Sequence, residues 1–337
     1  DASSRFAPGH RWGNFGSVGA AWLISQEGFM SGADWVNMLK LKASWGVQGN
    51  DSLYPTAGAA IKYYPYADNY THSYNEETKE YSLTLNYKGN EELTWENTWT
   101  TNLALHFGFW NRLNVDLELY NKKTTDMLMS VPLAYSQSNG YGYKWDNVGA
   151  MVNRGVELNV NATVLQIRDF AWNINANVGY NHNRLTELYN GVDEYETSNT
   201  STKLVVGRPV GEFYINRYAG VNPANGDALW YDKDGNITNE LRDEDKVMVG
   251  KSYHAPWQGG FGTSFSWKGL SLSAQFSWVG DRWMLNNDRY FDESNGRFMT
   301  YNQSNRLLNR WKQPGDITDI PRHGEYTEFD SRLLEDA

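Results

Sequence analysis

Residues 257–280 read WQGGFGTSFSWKGLSLSAQFSWVG. Apolar side chains fall at Phe261, Phe265 and Trp267, with Thr263 between them. They resume after Lys268-Gly269 at Leu270, Leu272, Ala274, Phe276 and Trp278, and the intervening positions are Gly, Ser and Gln. A period of two over this length predicts strands with one apolar and one polar face. A two-residue turn at Lys268-Gly269 pairs Trp267 with Leu270, Phe265 with Leu272, Thr263 with Ala274 and Phe261 with Phe276. Both strands then turn their apolar residues to the same face. Each runs ~10 residues, longer than the ~5–6 of a soluble strand and close to what a tilted strand needs to cross a bilayer. The pattern is that of one hairpin of a membrane barrel.

Composition permits this. The mean hydropathy is −0.67, and the longest wholly apolar run, Ala20 to Ile24, is five residues. No transmembrane helix can form, but a transmembrane β-barrel can, because lipid-facing and lumen-facing residues alternate and cancel in any average. Aromatic residues make up 15% of the 337, with 15 Trp and 22 Tyr. That excess bears on the membrane only if the rings sit at strand ends. Cysteine is absent, which excludes disulfides and thiolate metal sites. The net charge of −10 argues against a nucleic-acid-binding surface.

Three further hairpins are expected. Over 98–109, Trp99, Leu103, Leu105, Phe107 and Phe109 share a face, as do Leu113, Val115, Leu117 and Leu119. Both sets are odd-numbered, so the three-residue loop Trp110-Asn111-Arg112 pairs Phe109 with Leu113. Val156, Leu158, Val160, Ala162 and Val164 form an even set, and Phe170, Trp172, Ile174, Ala176, Val178 and Tyr180 another. A three-residue loop Ile167-Arg168-Asp169 keeps these in phase, with Val164 facing Trp172 and Val160 facing Ala176. A less regular pair joins 15–24 to Leu39, Leu41, Ala43, Trp45 and Val47 through the connection 25–36. The result is eight long strands with short turns at one end and long links at the other. In outer-membrane barrels the short turns are periplasmic and the long loops extracellular.

The polar faces carry mainly Asn, Ser, Thr, Gly and Gln, with Asp116, Glu118 and Glu157 interspersed. This suits a large lumen filled by water or a protein segment. Trp45, Trp95, Trp99, Trp110, Trp172, Tyr180, Trp257, Trp267, Trp278 and Trp283 lie near strand ends, as aromatic girdles at the two interfaces would.

Four stretches carry a family resemblance: LKLKASWGVQGND (39–51), ELTWENTWTTNLALHFGFWNRLNVDLELYNKKTTDML (92–128), NVGAMVNRGVELNVNATV (147–164) and FDSRLLEDA (329–337). They resemble SusC/RagA-type TonB-dependent outer-membrane transporters, and the likeness runs along essentially the whole chain. The resemblance implies an all-β fold, part of an antiparallel transmembrane β-barrel of about 22 strands around a plug. It also implies a SusD-like surface lipoprotein as lid, import of oligosaccharides or peptides powered by TonB, and placement in outer-membrane lipid. Asp1 opens in loop-like sequence without a signal peptide, and Ala337 follows no closing strand. Residues 1–337 are therefore expected to be a piece of the barrel domain, roughly strands 12 to 19 of such a barrel, without plug, TonB box or last strands. Two alternatives stand beside this reading. A passive porin or adhesin-type barrel would have no plug upstream. A secreted soluble carbohydrate-binding β-protein would stay monodisperse without detergent.

Candidate sites follow from the links. Tyr63, Tyr64, Tyr66, Tyr70 and Tyr74 crowd KYYPYADNYTHSY (62–74). Such rings beside Asn and Asp suit stacking on sugar faces, contact with the lid, or packing within the loop. The same three readings apply to Tyr141, Tyr143 and Trp145, and to Trp230, Tyr231, Trp283, Tyr290 and Phe291. Asp232, Asp234 and Asn236, around Gly235, resemble the start of a calcium loop. Asp243 stands where the bidentate Glu would be, so a plain Asx/Gly turn is the competing account. None of His10, His72, His106, His182, His254 and His323 has metal or triad spacing. His106, on a polar strand face, reads as a lumen-facing hydrogen-bonding residue. No enzyme is expected.

Overall fold

The computed structural model describes residues 1–53, 63–133, 143–196, 201–298, 300–324 and 329–337. It contains one eight-stranded antiparallel sheet whose members neighbour one another in chain order. We number these strands β1 (Gly16–Leu23), β2 (Val36–Asn50), β3 (Glu96–Phe109), β4 (Leu113–Thr125), β5 (Ala150–Ile167), β6 (Phe170–Glu187), β7 (Trp257–Trp267) and β8 (Leu270–Gly280). The four expected hairpins are all present. Contacts divide the chain into two compact units, 1–194 with 259–277 and 195–258 with 278–337.

The turns set the registers. Lys268 and Gly269 both adopt positive φ, 45° and 88°, as a two-residue hairpin turn requires. The Phe261 and Phe276 rings stack 4.7 Å apart, as the expected pairing demands. Trp110 and Asn111 also lie at positive φ, and Phe109 opposes Leu113, with Leu105 facing Leu117.

The third hairpin departs from expectation. Its turn has two residues, because Ile167 opposes Phe170 and Leu165 opposes Trp172. A bulge then shifts the register, Asn173 faces Thr163, and Val160 faces Ala176 as expected. The cause is in the sequence: the apolar set is even up to Val164, then odd at Leu165 and Ile167. One extra residue in the strand keeps both sets on one face.

Among the described residues, much of the apolar faces is left exposed. Phe261 is 52% exposed, and Leu270 and Leu272 are 70% and 68% exposed. Such exposed apolar surface, continued on β1–β6 by Val18, Trp22, Trp45, Leu103, Leu119, Val164 and Ile174, is a membrane contact. Along β5 it runs from Ile167 to Val156, about 25 Å of height at a tilt near 45°. Beyond it, β4, β5 and β6 extend about six or seven residues further, to Thr125, Ala150 and Glu187.

The opposite face is polar, and its side chains bond across neighbouring strands. Tyr120 lies across Gly155, where a Cβ would come within 2.3 Å of its ring. Its hydroxyl donates to Asn181 Oδ1 at 3.0 Å. His106 bonds to Asp116 on the neighbouring strand, in keeping with a lumen-facing polar residue. Trp45, Trp99, Trp110, Trp257, Trp267 and Trp278 are exposed at strand ends as girdle residues, joined by Trp22 and Trp35. Trp95 is a correction. It is buried with Phe6, Leu53, Leu93 and Trp145 in a core cluster, and its Nε1 donates to the Arg11 carbonyl. Trp283 sits in the second unit rather than at the end of a wall strand.

Candidate functional site

Within the first unit the link after β2 builds a projecting hairpin, Asn69–Asn75 against Glu80–Tyr87. Asn75 makes its turn: Oδ1 accepts from the Glu77 and Thr78 amides at 2.9 and 3.2 Å. Alternation puts Tyr70, His72 and Tyr74 on one face, opposite Leu85, Leu83 and Tyr81. The other face is hydroxylated, with Ser73 and Ser82 oxygens 2.7 Å apart. The Tyr74 and Tyr81 rings lie 4.8 Å apart, and Tyr70, Tyr74, Tyr81 and Leu83 are all exposed.

Tyr63 and Tyr64 are exposed beside this hairpin, and Tyr66, half-buried, meets Tyr64 edge-on at 6.1 Å. Asp68 anchors the segment. Its carboxylate accepts from Lys88 Nζ at 2.9 Å and the Gly89 amide at 2.8 Å, with a long bond from the Tyr70 hydroxyl. The Lys88 hydrogen bond holds the Asp68 carboxyl below the usual carboxylate range. Gly89 has no room for a side chain, since a Cβ would lie 2.4 Å from the Ala67 backbone. The arrangement is an anchored shelf of rings, able to stack on flat or apolar surfaces and to bond through phenol hydroxyls.

Of these four tyrosines, Tyr64 and Tyr66 are in ring contact, Tyr70 joins the Asp68 anchor through its hydroxyl, and Tyr63 is exposed next to Tyr64 in sequence. Tyr81, Leu83 and Leu85 share the hairpin face of Tyr70 and Tyr74 and were missed, although residues 80–87 (EYSLTLNY) carry the same period of two. Tyr141 lies outside the described residues. Trp145 is 8% exposed in the core cluster, and its carbonyl accepts from Asn90 Nδ2; its role here is packing.

In the second unit, Trp230 is 5% exposed and donates through Nε1 to Asp330 Oδ2 at 3.0 Å. It too is a packing residue. Tyr218 meets it edge-on, and burial pushes the Tyr218 phenol up to about 12. Trp283 is half-buried, with Lys251 Nζ 3.9 Å above its ring and its Nε1 bonded to Asp281.

Asp232, Asp234 and Asn236 form the turn between Ala228–Tyr231 and Ile237–Thr238. Asp232 Oδ1 accepts from the Asn236 amide at 2.7 Å and Oδ2 from Asn236 Nδ2 at 3.1 Å. These bonds, the side-chain one foremost, lower the Asp232 carboxyl from its ordinary value. Both oxygens are occupied by N–H groups and Asn236 acts as donor, so the Asx-turn account explains the motif without an ion. Among the described residues no three His, Cys, Asp or Glu side chains converge as metal ligands. Calorimetric titration of the full-length protein with calcium is expected to give no heat; a saturable binding heat removed by Asp232→Ala would overturn the turn reading.

Comparison with known proteins agrees with this architecture. The family described as "TonB dependent receptor-like, beta-barrel" matches residues 1–315. TonB-dependent receptor SusC of Bacteroides thetaiotaomicron is 31% identical over 267 residues, covering 72% of this chain and 25% of SusC. TonB-dependent receptor P39 of Formosa agariphila is 27% identical, covering 95% of this chain and 34% of that receptor. Among solved structures, the RagAB peptide transporter superposes with a TM-score of 0.88 at 35% identity over 99% of this chain and 36% of its own. The RagAB importer in its "open-open" state gives 0.86. The chain thus spans a quarter to about a third of these relatives' lengths. With its outward apolar band and its match over residues 1–315, this chain belongs to the TonB-dependent receptor β-barrel family as a SusC/RagA-type outer-membrane protein.

Proposed function

We propose that residues 1–337 are part of the barrel domain of an active nutrient importer, energised through TonB and working with a SusD-like surface lipoprotein. The observation that carries this is the two-faced eight-stranded wall. It has an uncovered apolar outer face, a polar inner face, and extracellular links that fold into structured units rather than open loops. Family membership supports transport rather than catalysis as the work. Peptides are a candidate cargo because the similar RagAB structure is that of a peptide transporter, and oligosaccharides are the other, because exposed tyrosine rings suit sugar faces. The test is uptake of labelled oligosaccharides and peptides by cells carrying or lacking the gene. Uptake that depends on the gene and collapses when the proton-motive force is dissipated supports the proposal. Gene-dependent uptake indifferent to that force would make the protein a passive pore.

The shelf around Tyr66 and Tyr70 is the part we assign to contact with cargo or lid, because Tyr63, Tyr64 and Tyr70 are exposed and Tyr66 half-buried while the backbone is pinned by Asp68. Changing both to Ala is expected to weaken cargo binding or lid association by roughly tenfold, the loss of one or two stacking contacts. Wild-type affinity for both in the Tyr66→Ala/Tyr70→Ala double variant would remove the assignment.

A further inference from the structure

On the outward face, the apolar band stops in register across three strands and gives way to cations. The last apolar row is Leu119–Val156–Tyr180. The next row toward the long loops is Asn121–Arg154–His182, and the one after it Lys123–Val152–Arg184. Lys123, Arg154 and Arg184 are all exposed. Lys123 and Arg184 flank Val152 on neighbouring strands, so roughly 10 Å of sheet separates them, and Arg154 lies about 7 Å further down β5. Arg154 Nε donates to Asn121 Oδ1 at 2.9 Å, which fixes its guanidinium over the sheet.

Among the described residues these three charges have no counter-ion: no carboxylate lies within 4.0 Å of any of them. Asp126, at the rim of the hollow that Lys123 and Arg154 line, is engaged by Asn97 and Thr125. Glu187, also on the rim, forms no ion pair with them. The same two rows carry the girdle tryptophans on β2 and β3. Trp45 faces Thr101, which faces Asn121, and Val47 faces Trp99, which faces Lys123. The Trp45 and Trp99 rings lie 5.3 Å apart. Interfacial tryptophans mark the headgroup level, so the cations stand where lipid headgroups lie, at the extracellular end and pointing outward.

We propose that Lys123, Arg154 and Arg184 form a binding site for the phosphate of an outer-leaflet glycolipid, whose acyl chains lie along the apolar band below. Guanidinium forks match phosphate oxygens, and Lys123 adds a point charge. Three unpaired cations favour a phosphorylated headgroup over a zwitterionic one. The placement excludes cargo as occupant, because cargo passes along the opposite face of these strands.

The full-length protein, purified in detergent, is titrated with phosphorylated lipid A, enzymatically dephosphorylated lipid A, phosphatidylethanolamine and inorganic phosphate, with binding read by native mass spectrometry. Wild type is expected to retain phosphorylated lipid A, and Lys123→Gln/Arg154→Gln/Arg184→Gln to lose on the order of a hundredfold in affinity. The charge-keeping variant Lys123→Arg/Arg154→Lys/Arg184→Lys should stay within a few fold of wild type. Heat-modifiable gel mobility reports folding; if the neutral triple variant does not fold, the three single Gln variants are read instead, each expected to lose several fold. Equal binding of dephosphorylated lipid A, displacement by inorganic phosphate alone, or unchanged retention by the neutral variants would each overturn the proposal.

Discussion

Val160→Arg is expected to destabilise the wall by about 2–4 kcal/mol, the cost of a cation on the lipid face near the bilayer midplane. Val160 faces Val115 on β4 and Ala176 on β6. It lies midway along the apolar set of β5, so an arginine there cannot easily reach either interface. Its sequence neighbour Asn159 points the other way, opposite Asp116 and Asn177. An arginine at that position meets polar surroundings and a carboxylate, and Asn159→Arg should change stability by no more than about 0.5 kcal/mol. Reversible urea unfolding of the full-length protein in phospholipid vesicles measures both. The contrast is the test, because a register slip of one residue exchanges the two faces. A larger penalty at Asn159 would show the faces to be the reverse of those assigned, and equal penalties would show that Val160 does not face lipid.

That contrast rests on information legible in the sequence. Alternation placed seven of the eight wall strands and the face of most of their residues, because a barrel wall repeats one rule on every strand and its partners are chain neighbours; the less regular β1 was placed as the partner of β2. The tight turns also follow from local sequence, as Lys268-Gly269 and Trp110-Asn111-Arg112 illustrate. The bulge at Val164 was legible too, in the parity change from Val164 to Leu165, but a fixed parity read across it gives a loop one residue too long. What alternation does not reach is the folding of the links. Phe6 packs on Trp95 and Trp145, and Trp230 bonds to Asp330 across 100 residues of chain. Such contacts have no period, and the tryptophans that make them are the same residue type as girdle or cargo-binding rings. Trp95, Trp145 and Trp230 were therefore open to more than one reading until burial decided. The exposed Tyr63, Tyr64 and Tyr70 could be grouped by sequence proximity, whereas Tyr81 and Leu83 join them only through a hairpin partner.

The second unit depends on one buried ion pair, and Asp330→Ala should cost that unit about 3–5 kcal/mol. Asp330 is fully buried. Its oxygens accept from Arg332 Nη2 at 2.8 Å and Nε at 3.1 Å, from the Arg332 amide at 2.9 Å and from Trp230 Nε1 at 3.0 Å. Arg332 in turn lies 4.0 Å above the Tyr218 ring, and the Tyr218 amide donates to Ser331 Oγ. Asp330 thus ties the segment 330–332 to the strands Arg217–Val221 and Ala228–Tyr231. Truncation leaves a guanidinium and an indole N–H buried without their acceptor, and that uncompensated charge is the larger part of the cost. Arg332→Leu/Asp330→Leu, which removes both charges, should recover much of the loss if the apolar side chains fill the space. Hydrogen exchange of the full-length protein resolves the effect: amides in 217–231 should lose protection in Asp330→Ala and regain it in the double variant, while β4 and β5 stay protected. Unchanged exchange in Asp330→Ala would mean that the aromatic packing of Tyr218 and Trp230 holds the unit without the ion pair.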